Sequence, residues 1–252
     1  MNTFKDNFSK QAEVYLKFRP TYPQELFEFL SSLTSEQKLA WDCGTGNGQS
    51  AVKLADYYEK VYATDPSVEQ IKNAIHHDRV TYKVENAETP SSLEDNSVDL
   101  ITVAQAIHWF DFDKFYTQVR RVSKPNGIIA VWAYGTPTIN EELNNIIKDF
   151  HDNIVGEFWL PENKLIDMEY STIPFPFQEL KTPEFFIRKQ VTLSETLGHL
   201  RSWSATQKYI DKYDINPIDT LSKKMQEYWK DTDNQKEMTW KIILKVGKIV
   251  SR

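Results

Sequence analysis

The residues best suited to chemistry begin near position 45, where three glycines occupy five positions. Gly44, Gly46 and Gly48 follow the short apolar run at residues 39–43, in a chain that has only 8 glycines among 252 residues. Glycines permit a tight turn and let a ligand touch the backbone, and the N-terminus of the following helix offers unpaired N–H groups. The pattern therefore predicts a strand, a turn and a helix that bind a nucleotide.

Two carboxylates near this turn indicate which kind of ligand it would bind. Asp65 ends the next predicted strand, 21 positions after Gly44, where a carboxylate can accept hydrogen bonds from both hydroxyls of an adenosine ribose. Asp42 precedes the first glycine by two residues. The turn reads Gly-x-Gly-x-Gly, whereas the dinucleotide-binding pattern is Gly-x-Gly-x-x-Gly. We predict an adenosine-containing ligand, and a turn that only packs a helix closely is the alternative.

His108 is the natural candidate for proton transfer. It follows the strand predicted at residues 98–103, which places it at the carboxyl edge of the sheet, where ligands bind in α/β folds. The imidazole can serve as a general base for a hydroxyl or amine, or it can only line the pocket. A third interpretation is a histidine that hydrogen-bonds within a packed loop. Trp109 is predicted to form a wall of the same pocket.

Alternating strands and helices position these residues. Apolar runs predict strands at residues 39–43, 60–64, 80–84, 98–103, 128–132 and 185–191, and apolar alternation predicts a half-buried strand through residues 240–246. Helical spacing predicts intervening helices, one of which begins with a capping box at Ser67 and Gln70 and runs to Ile75. A turn is predicted at 124–127. Strands that alternate with helices imply an α/β fold with helices on both faces of a parallel sheet.

Composition restricts the class of protein further. The net charge of −6 argues against a nucleic-acid partner, because a surface that follows phosphates needs a basic field. The single cysteine, Cys43, excludes an intrachain disulfide and a multi-cysteine metal site. No apolar run approaches the roughly 20 residues that span a bilayer, and no metal-ligand spacing occurs. We predict a cytoplasmic protein without metal or membrane contact, and its aromatic content of 13% hints at an aromatic-lined pocket.

Five segments in order along residues 39–133 resemble the motifs of class I S-adenosylmethionine-dependent methyltransferases. Asp42-Cys43-Gly44-Thr45-Gly46-Asn47-Gly48 resembles motif I, and residues 61–65 resemble the acidic loop that holds the ribose. Asn86-Ala87-Glu88 resembles the segment that flanks the adenine, residues 98–109 the fourth-strand motif, and residues 124–129 the turn into strand five. The resemblance implies a Rossmann-like sheet of about seven strands with an antiparallel C-terminal strand. It implies S-adenosylmethionine as cofactor, bound by Arg19, Asp42, Gly44, Thr45, Gly46, Asp65, Pro66, Ala87, Glu88 and Gln105.

The segments 15–23 and 108–110 are similar to the group that contains trans-aconitate methyltransferase and related small-molecule enzymes. In that group the N-terminal segment folds over the cofactor as a lid. The resemblance implies that Arg19 faces the methionine carboxylate and that Tyr15 and Tyr22 border the substrate. Residues 201–205 resemble a cap segment of the same group, which adds Arg201 to His108 and Trp109 as candidate substrate contacts.

These resemblances predict how the chain is organised. We expect one methyltransferase domain over residues 1–252. It would comprise an N-terminal lid at 1–23, a cofactor-binding core at 36–135, a substrate cap at 136–232 that contains strand six, and a C-terminal strand at 233–252. We expect a monomer or weak dimer.

The predicted reaction is O-methylation of a small carboxylic acid. An ionised carboxylate needs no general base, only cationic or hydrogen-bonding groups to position it, and Arg19, Arg201 or His108 could serve. A hydroxyl or amine acceptor, with His108 as base, is one alternative, and a protein that binds the cofactor without catalysis is another. A nicotinamide-dependent oxidoreductase is a third. Enzymes that methylate nucleic-acid amino groups carry Asn/Asp-Pro-Pro-Tyr after strand four, where this chain has Ala104-Gln105-Ala106-Ile107.

Overall fold

A computed structural model of the chain describes residues 20–250. Residues 1–19 of the predicted N-terminal lid lie outside the described residues, and with them Tyr15 and Arg19. None of the helices between residues 20 and 250 is long and apolar enough to cross a membrane.

A mostly parallel sheet forms the centre of the molecule. Within residues 20–250 its eight strands are β1 (Leu39–Cys43), β2 (Lys60–Asp65), β3 (Val80–Val84), β4 (Val98–Ala104), β5 (Ser123–Tyr134), β6 (Gln178–Glu179), β7 (Phe185–Val191) and β8 (Lys236–Lys248). The strand order is β3-β2-β1-β4-β5-β8-β6, and β7 also pairs with β8. Strands β1 to β5 are parallel, and β8 runs antiparallel to β5, β6 and β7. The predicted fold class is confirmed, and the strand beyond the expected seven is the two-residue β6.

Helices cover both faces of this sheet. Within the same residues they are α1 (Gln24–Ser32), α2 (Gln49–Leu54), α3 (Val68–Lys72), α4 (Phe112–Val122), α5 (Glu141–Asp149), α6 (Lys164–Asp167), α7 (Leu193–Arg201), α8 (Ser204–Tyr213) and α9 (Ile218–Trp229). A π-helical turn (Phe150–Ile154) follows α5, and short 3-10 turns occur at Ile107–Trp109, Gly156–Phe158 and Pro161–Asn163. Side chains alternate across each strand. In β1, Ala40 accordingly joins one hydrophobic cluster and Trp41 the other.

Helix α3 is shorter than the sequence predicted. It ends at Lys72 instead of continuing to Ile75, because the Ile75 N–H donates to the carbonyl of Asn47 in the glycine turn, at 2.9 Å. The capping box is also incomplete. Ser67 Oγ accepts from the Gln70 N–H as expected, but the Ser67 N–H donates to Asp65. Both departures come from contacts with the glycine turn or the end of β2.

The predicted turn at 124–127 is a bulge inside β5. Val98 pairs with Ser123, and the next pair of the ladder joins Leu100 to Ile128. The additional residues of β5 are accommodated with Asn126 at φ 64°. The chain therefore turns where expected, but without leaving the sheet.

The carboxyl ends of β1, β2 and β4 meet at one edge of the sheet, and an ion pair between a buried aspartate and a half-buried lysine lies at the other. Asp99, near the start of β4, is 4% exposed and pairs with Lys124 Nζ at 2.7 Å. Its second oxygen accepts from the N–H groups of Lys38 and Leu39 at 3.0 and 2.9 Å. This network joins the start of β1 to β4 and β5, far from the glycine turn.

Candidate cofactor and acceptor site

The three glycines of the turn all have left-handed backbones, but their surroundings differ. Their φ angles are 68°, 56° and 89° for Gly44, Gly46 and Gly48, a region that favours glycine. A Cβ on Gly44 would lie 2.6 Å from Ala106 Cβ, and one on Gly48 would lie 2.1 Å from the Tyr82 hydroxyl. Among residues 20–250, a Cβ on Gly46 would meet only the Gln70 side-chain oxygen, at 3.8 Å. The outer glycines thus allow close packing within the protein, while the middle one leaves space beside its backbone.

Asp65 lies directly beside Gly46. Its Oδ2 accepts from the Gly46 N–H and its Oδ1 from the Ser67 N–H, both at 2.9 Å. The Thr45 N–H donates to the carbonyl of Thr64 at 2.9 Å, which fixes the turn to the end of β2. A carboxylate has about four lone-pair sites on its two oxygens. A carboxylate of this kind can accept from a pair of vicinal hydroxyls.

Asp42 supports the turn from below. It is fully buried, and its Oδ2 and Oδ1 accept from the hydroxyls of Thr45 at 2.5 Å and Thr102 at 2.7 Å. Burial raises the pKa of this carboxyl to about 6, and the two threonine hydrogen bonds oppose that rise. Because no part of Asp42 reaches the surface, the structure places it beneath Thr45 as a support for the turn.

The remaining residues predicted to bind the cofactor lie around the same edge. Pro66 is half-buried next to Asp65, and Ala87 is buried. Glu88 accepts from the Asp111 N–H at 3.0 Å, which joins the segment after β3 to the start of α4. Gln105 directs its amide Nε2 to the carbonyl of Tyr134, at 3.0 Å.

His108 lies in the 3-10 turn after β4 and is 6% exposed. Its Nδ1 is 3.0 Å from the hydroxyl oxygen of Tyr170, and its ring centroid is 4.9 Å from that of Trp109. Burial raises the pKa of the Tyr170 hydroxyl. Sequence reasoning missed Tyr170, because it lies 62 positions from His108 in a segment with no recognisable motif.

Tyr22 belongs to a set of aromatic rings at the end of β5. Its ring centroid lies 5.6 Å from that of Trp132 and 6.2 Å from that of Tyr134. The ring centroid of Trp240 lies 6.4 Å from that of Tyr134, and the ring centroid of His199 lies 5.3 Å from that of Trp240. Gln105, hydrogen-bonded to Tyr134, connects these rings to the end of β4. An aromatic region therefore does adjoin the carboxyl edge of the sheet.

Arg201 is separate from these residues. It is exposed at the end of α7, and within residues 20–250 no contact joins its guanidinium to the other predicted site residues. Trp203, two positions later, faces inward instead, and its indole Nε1 donates to His199 Nε2 at 3.4 Å. In this segment it is the tryptophan, not the arginine, that joins the aromatic set.

Comparison with known proteins identifies the family. Residues 41–131 match the model of a family described as a methyltransferase domain. A protein of Dictyostelium discoideum named as a methyltransferase is 34% identical over 239 residues, which cover 93% of this chain and 90% of that protein. The chain belongs to the class I S-adenosylmethionine-dependent methyltransferases. Membership of the group that contains trans-aconitate methyltransferase stays a prediction.

A solved methyltransferase structure has the same fold as this chain. A protein from Anaeromyxobacter dehalogenans, described as a type II methyltransferase, is 34% identical with a TM-score of 0.88, covering 93% of this chain and all of that one. A Saccharomyces cerevisiae protein named as an S-adenosylmethionine-dependent methyltransferase is 29% identical over 139 residues. That match spans 52% of this methyltransferase and 48% of the yeast protein.

The glycine turn of this methyltransferase fits the cofactor of its family. S-adenosylmethionine supplies a methyl group that its sulfonium already activates. The space beside the Gly46 backbone and the carboxylate of Asp65 next to it have the chemistry that an adenosine ribose needs.

Proposed function

We propose that this methyltransferase methylates a carboxylate oxygen of a small organic acid. The cofactor half of the proposal rests on one observation, the juxtaposition of the open backbone at Gly46 with the Asp65 carboxylate. In this proposal Asp65 accepts from the ribose hydroxyls, and Pro66, Ala87 and Glu88 border the adenine. Arg19 holds the methionine carboxylate.

The acceptor half rests on His108 and the aromatic side chains near it. An ionised carboxylate needs only to be held in line with the activated methyl and shielded from water. The half-buried Trp109 supplies an apolar wall, with its ring centroid 4.9 Å from that of His108, which supplies the polar group. The half-buried Tyr22, beside Trp132 at the end of β5, is the second wall of this proposal. Arg201 is exposed, so of the two described candidates for positioning the acid we favour His108.

The wider organisation is part of the same proposal. Residues 1–23 act as a lid over the cofactor, and residues 136–232 form the cap that shapes the acceptor pocket. The net charge of −6 supports a small-molecule acceptor over a nucleic acid. We propose a cytoplasmic monomer or weak dimer.

Calorimetry with S-adenosylhomocysteine tests the cofactor site. Asp65→Ala removes the ribose acceptor, and hydrogen bonds to charged groups contribute enough that affinity should fall roughly 10- to 100-fold. The control is Asp56→Ala, an exposed aspartate in the turn after α2, which should bind as the parent does. Equal affinities for the parent and Asp65→Ala would show that Asp65 does not bind the cofactor.

Transfer of a labelled methyl group to a panel of acids, alcohols and amines tests the acceptor class. We expect products from the acids that release the label under alkali, as esters do. Transfer only to alcohols or amines would contradict the carboxylate proposal. A protein that binds S-adenosylhomocysteine and methylates no member of the panel would support the non-catalytic alternative.

A further inference from the structure

The hydroxyl of Tyr170 is buried with one available partner. Tyr170 is fully buried, and within the described part of the chain the only hydrogen-bond contact of its hydroxyl is His108 Nδ1, at 3.0 Å. A phenol has one proton to donate and can also accept. Burying a donor without a partner is costly. The proton of Tyr170 must therefore point at Nδ1.

This direction fixes the tautomer of the imidazole. A neutral histidine carries its proton on one ring nitrogen, and the hydrogen bond made by the other nitrogen decides which. If Nδ1 accepts from Tyr170, the proton resides on Nε2. The opposite tautomer would donate from Nδ1 to the tyrosine oxygen and leave the buried Tyr170 proton without an acceptor. Burial also raises the pKa of the phenol, which keeps it protonated.

The backbone holds Tyr170 in place for this contact. Glu169 and Tyr170 both adopt left-handed conformations, with φ angles of 51° and 53°, which are unfavourable for residues other than glycine. The Tyr170 N–H donates to the carbonyl of Leu165 at 2.8 Å and closes the turn after α6. Such conformations persist where surrounding structure requires them, often near functional sites. Here they bring a residue of the region after β5 against the turn after β4.

We propose that Tyr170 is a positioning residue that holds His108 in its Nε2–H form, so that His108 donates a hydrogen bond to an anionic acceptor oxygen and does not remove a proton. The tautomer is a property of the protein alone. The role of Nε2–H toward the acceptor rests on the proposed function. The Nε2–H tautomer also explains how His108 can position a carboxylate without acting as a base.

Nitrogen-15 NMR of the histidine-labelled protein at neutral pH tests the tautomer directly. The chain has five histidines, and the His108→Gln variant identifies the signals of His108. We expect a protonated Nε2 and an unprotonated Nδ1. In Tyr170→Phe the Nδ1 signal should move downfield as it loses its donor, whereas Tyr228→Phe, at an exposed tyrosine, should leave it unchanged. A proton on Nδ1 in the parent protein would overturn the proposal, even if Tyr170→Phe does not fold.

Kinetics of methyl transfer to an acid then separates a donor from a base. A glutamine amide can donate a hydrogen bond but cannot act as a base, so His108→Gln should stay within about tenfold of the parent kcat while His108→Leu falls further. Tyr170→Phe should lower kcat by about tenfold and leave the KM for S-adenosylmethionine unchanged. Equal loss in His108→Gln and His108→Leu would overturn the donor role. If no acid is methylated at all, the proposed function fails, while the NMR result still decides the tautomer.

Discussion

Among the residues of the glycine turn, Gly44 and Gly46 have the same kind of backbone but different neighbours. An alanine at Gly44 would add a methyl group 2.6 Å from Ala106 Cβ, a collision between two groups that cannot rotate away. An alanine at Gly46 would have one neighbour within 4 Å in the described part of the chain, the Gln70 side-chain oxygen at 3.8 Å. The two substitutions should therefore have different consequences.

We expect Gly46→Ala to impair cofactor binding more than folding. Its left-handed backbone should cost about 1–2 kcal/mol of the free energy of unfolding, while its methyl group occupies the space that we assign to the cofactor. Gly44→Ala should lose about 1–3 kcal/mol more because of overpacking. Urea unfolding and calorimetry with S-adenosylhomocysteine measure the two effects. Unchanged affinity in a folded Gly46→Ala would show that the cofactor lies elsewhere.

Asp42 should make stability depend on pH in an unusual direction. Its pKa rises from 3.8 to about 6 on folding, so between these values the folded protein holds a proton that the unfolded chain has released. The contribution of Asp42 to stability therefore falls as pH increases through this window, by about 3 kcal/mol in total. Asp42→Asn has no carboxyl to ionise and should not show this fall.

Urea unfolding between pH 4 and 7.5 compares the two proteins. The free energy of unfolding of Asp42→Asn, minus that of the parent, should increase with pH and level off above about 7. The exposed Asp56→Asn is the matched control for replacing a carboxylate by an amide elsewhere in the chain. A flat difference for Asp42→Asn would mean that folding does not shift the pKa of this carboxyl.

At the scale of elements, the ion pair of Lys124 with Asp99 stabilises the edge of the sheet opposite the site. Lys124→Met leaves the buried Asp99 carboxylate without its cation, which should lower the free energy of unfolding by about 2 kcal/mol. Affinity for S-adenosylhomocysteine should not change, because the pair contacts the starts of the strands. Lys212→Met breaks an exposed pair with Glu157 and should leave stability unaltered. Equal stabilities of the two variants would contradict this role of Asp99.

Strand positions were the most predictable elements. The bounds of β1, β3 and β7 match the prediction, because each is a short apolar or alternating run bounded by turn residues. The end of α3 was wrong, since the Ile75 N–H bonds to Asn47, a contact that helical periodicity does not encode. Strand β6 has two residues and no pattern of its own. It is defined by its pairing with β8.

The site was predictable to the extent that its residues follow strands. Spacing alone predicted that Gly44, Gly46 and Asp65 lie close together, because the carboxyl ends of parallel strands must meet at one edge. Tyr170 was not predicted, since its contact with His108 depends on how the region after β5 folds back. Arg201 was selected by a short resemblance, and the structure places Trp203 of that segment inward instead.

At the scale of the whole molecule, cofactor binding should be visible as global stabilisation. A ligand present at 100 times its dissociation constant adds about 2.7 kcal/mol to the free energy of unfolding, which raises Tm by roughly 5–10 °C for a chain of this length. Thermal unfolding with S-adenosylhomocysteine should show this increase in the parent and in Lys124→Met, from a lower starting Tm. Asp65→Ala should show little increase at the same ligand concentration. An equal increase in Asp65→Ala would contradict the ribose contact.

The single cysteine is a natural chemical probe of how often the strand before the glycine turn opens. Cys43 immediately precedes Gly44, is fully buried, and has a thiol whose pKa burial raises well above the ordinary value. A thiolate is the form that alkylating reagents attack, so labelling must wait until β1 separates from its neighbours and water enters. The rate at which the thiol of the wild-type chain is alkylated therefore reports how often this strand opens, and no cysteine needs to be introduced.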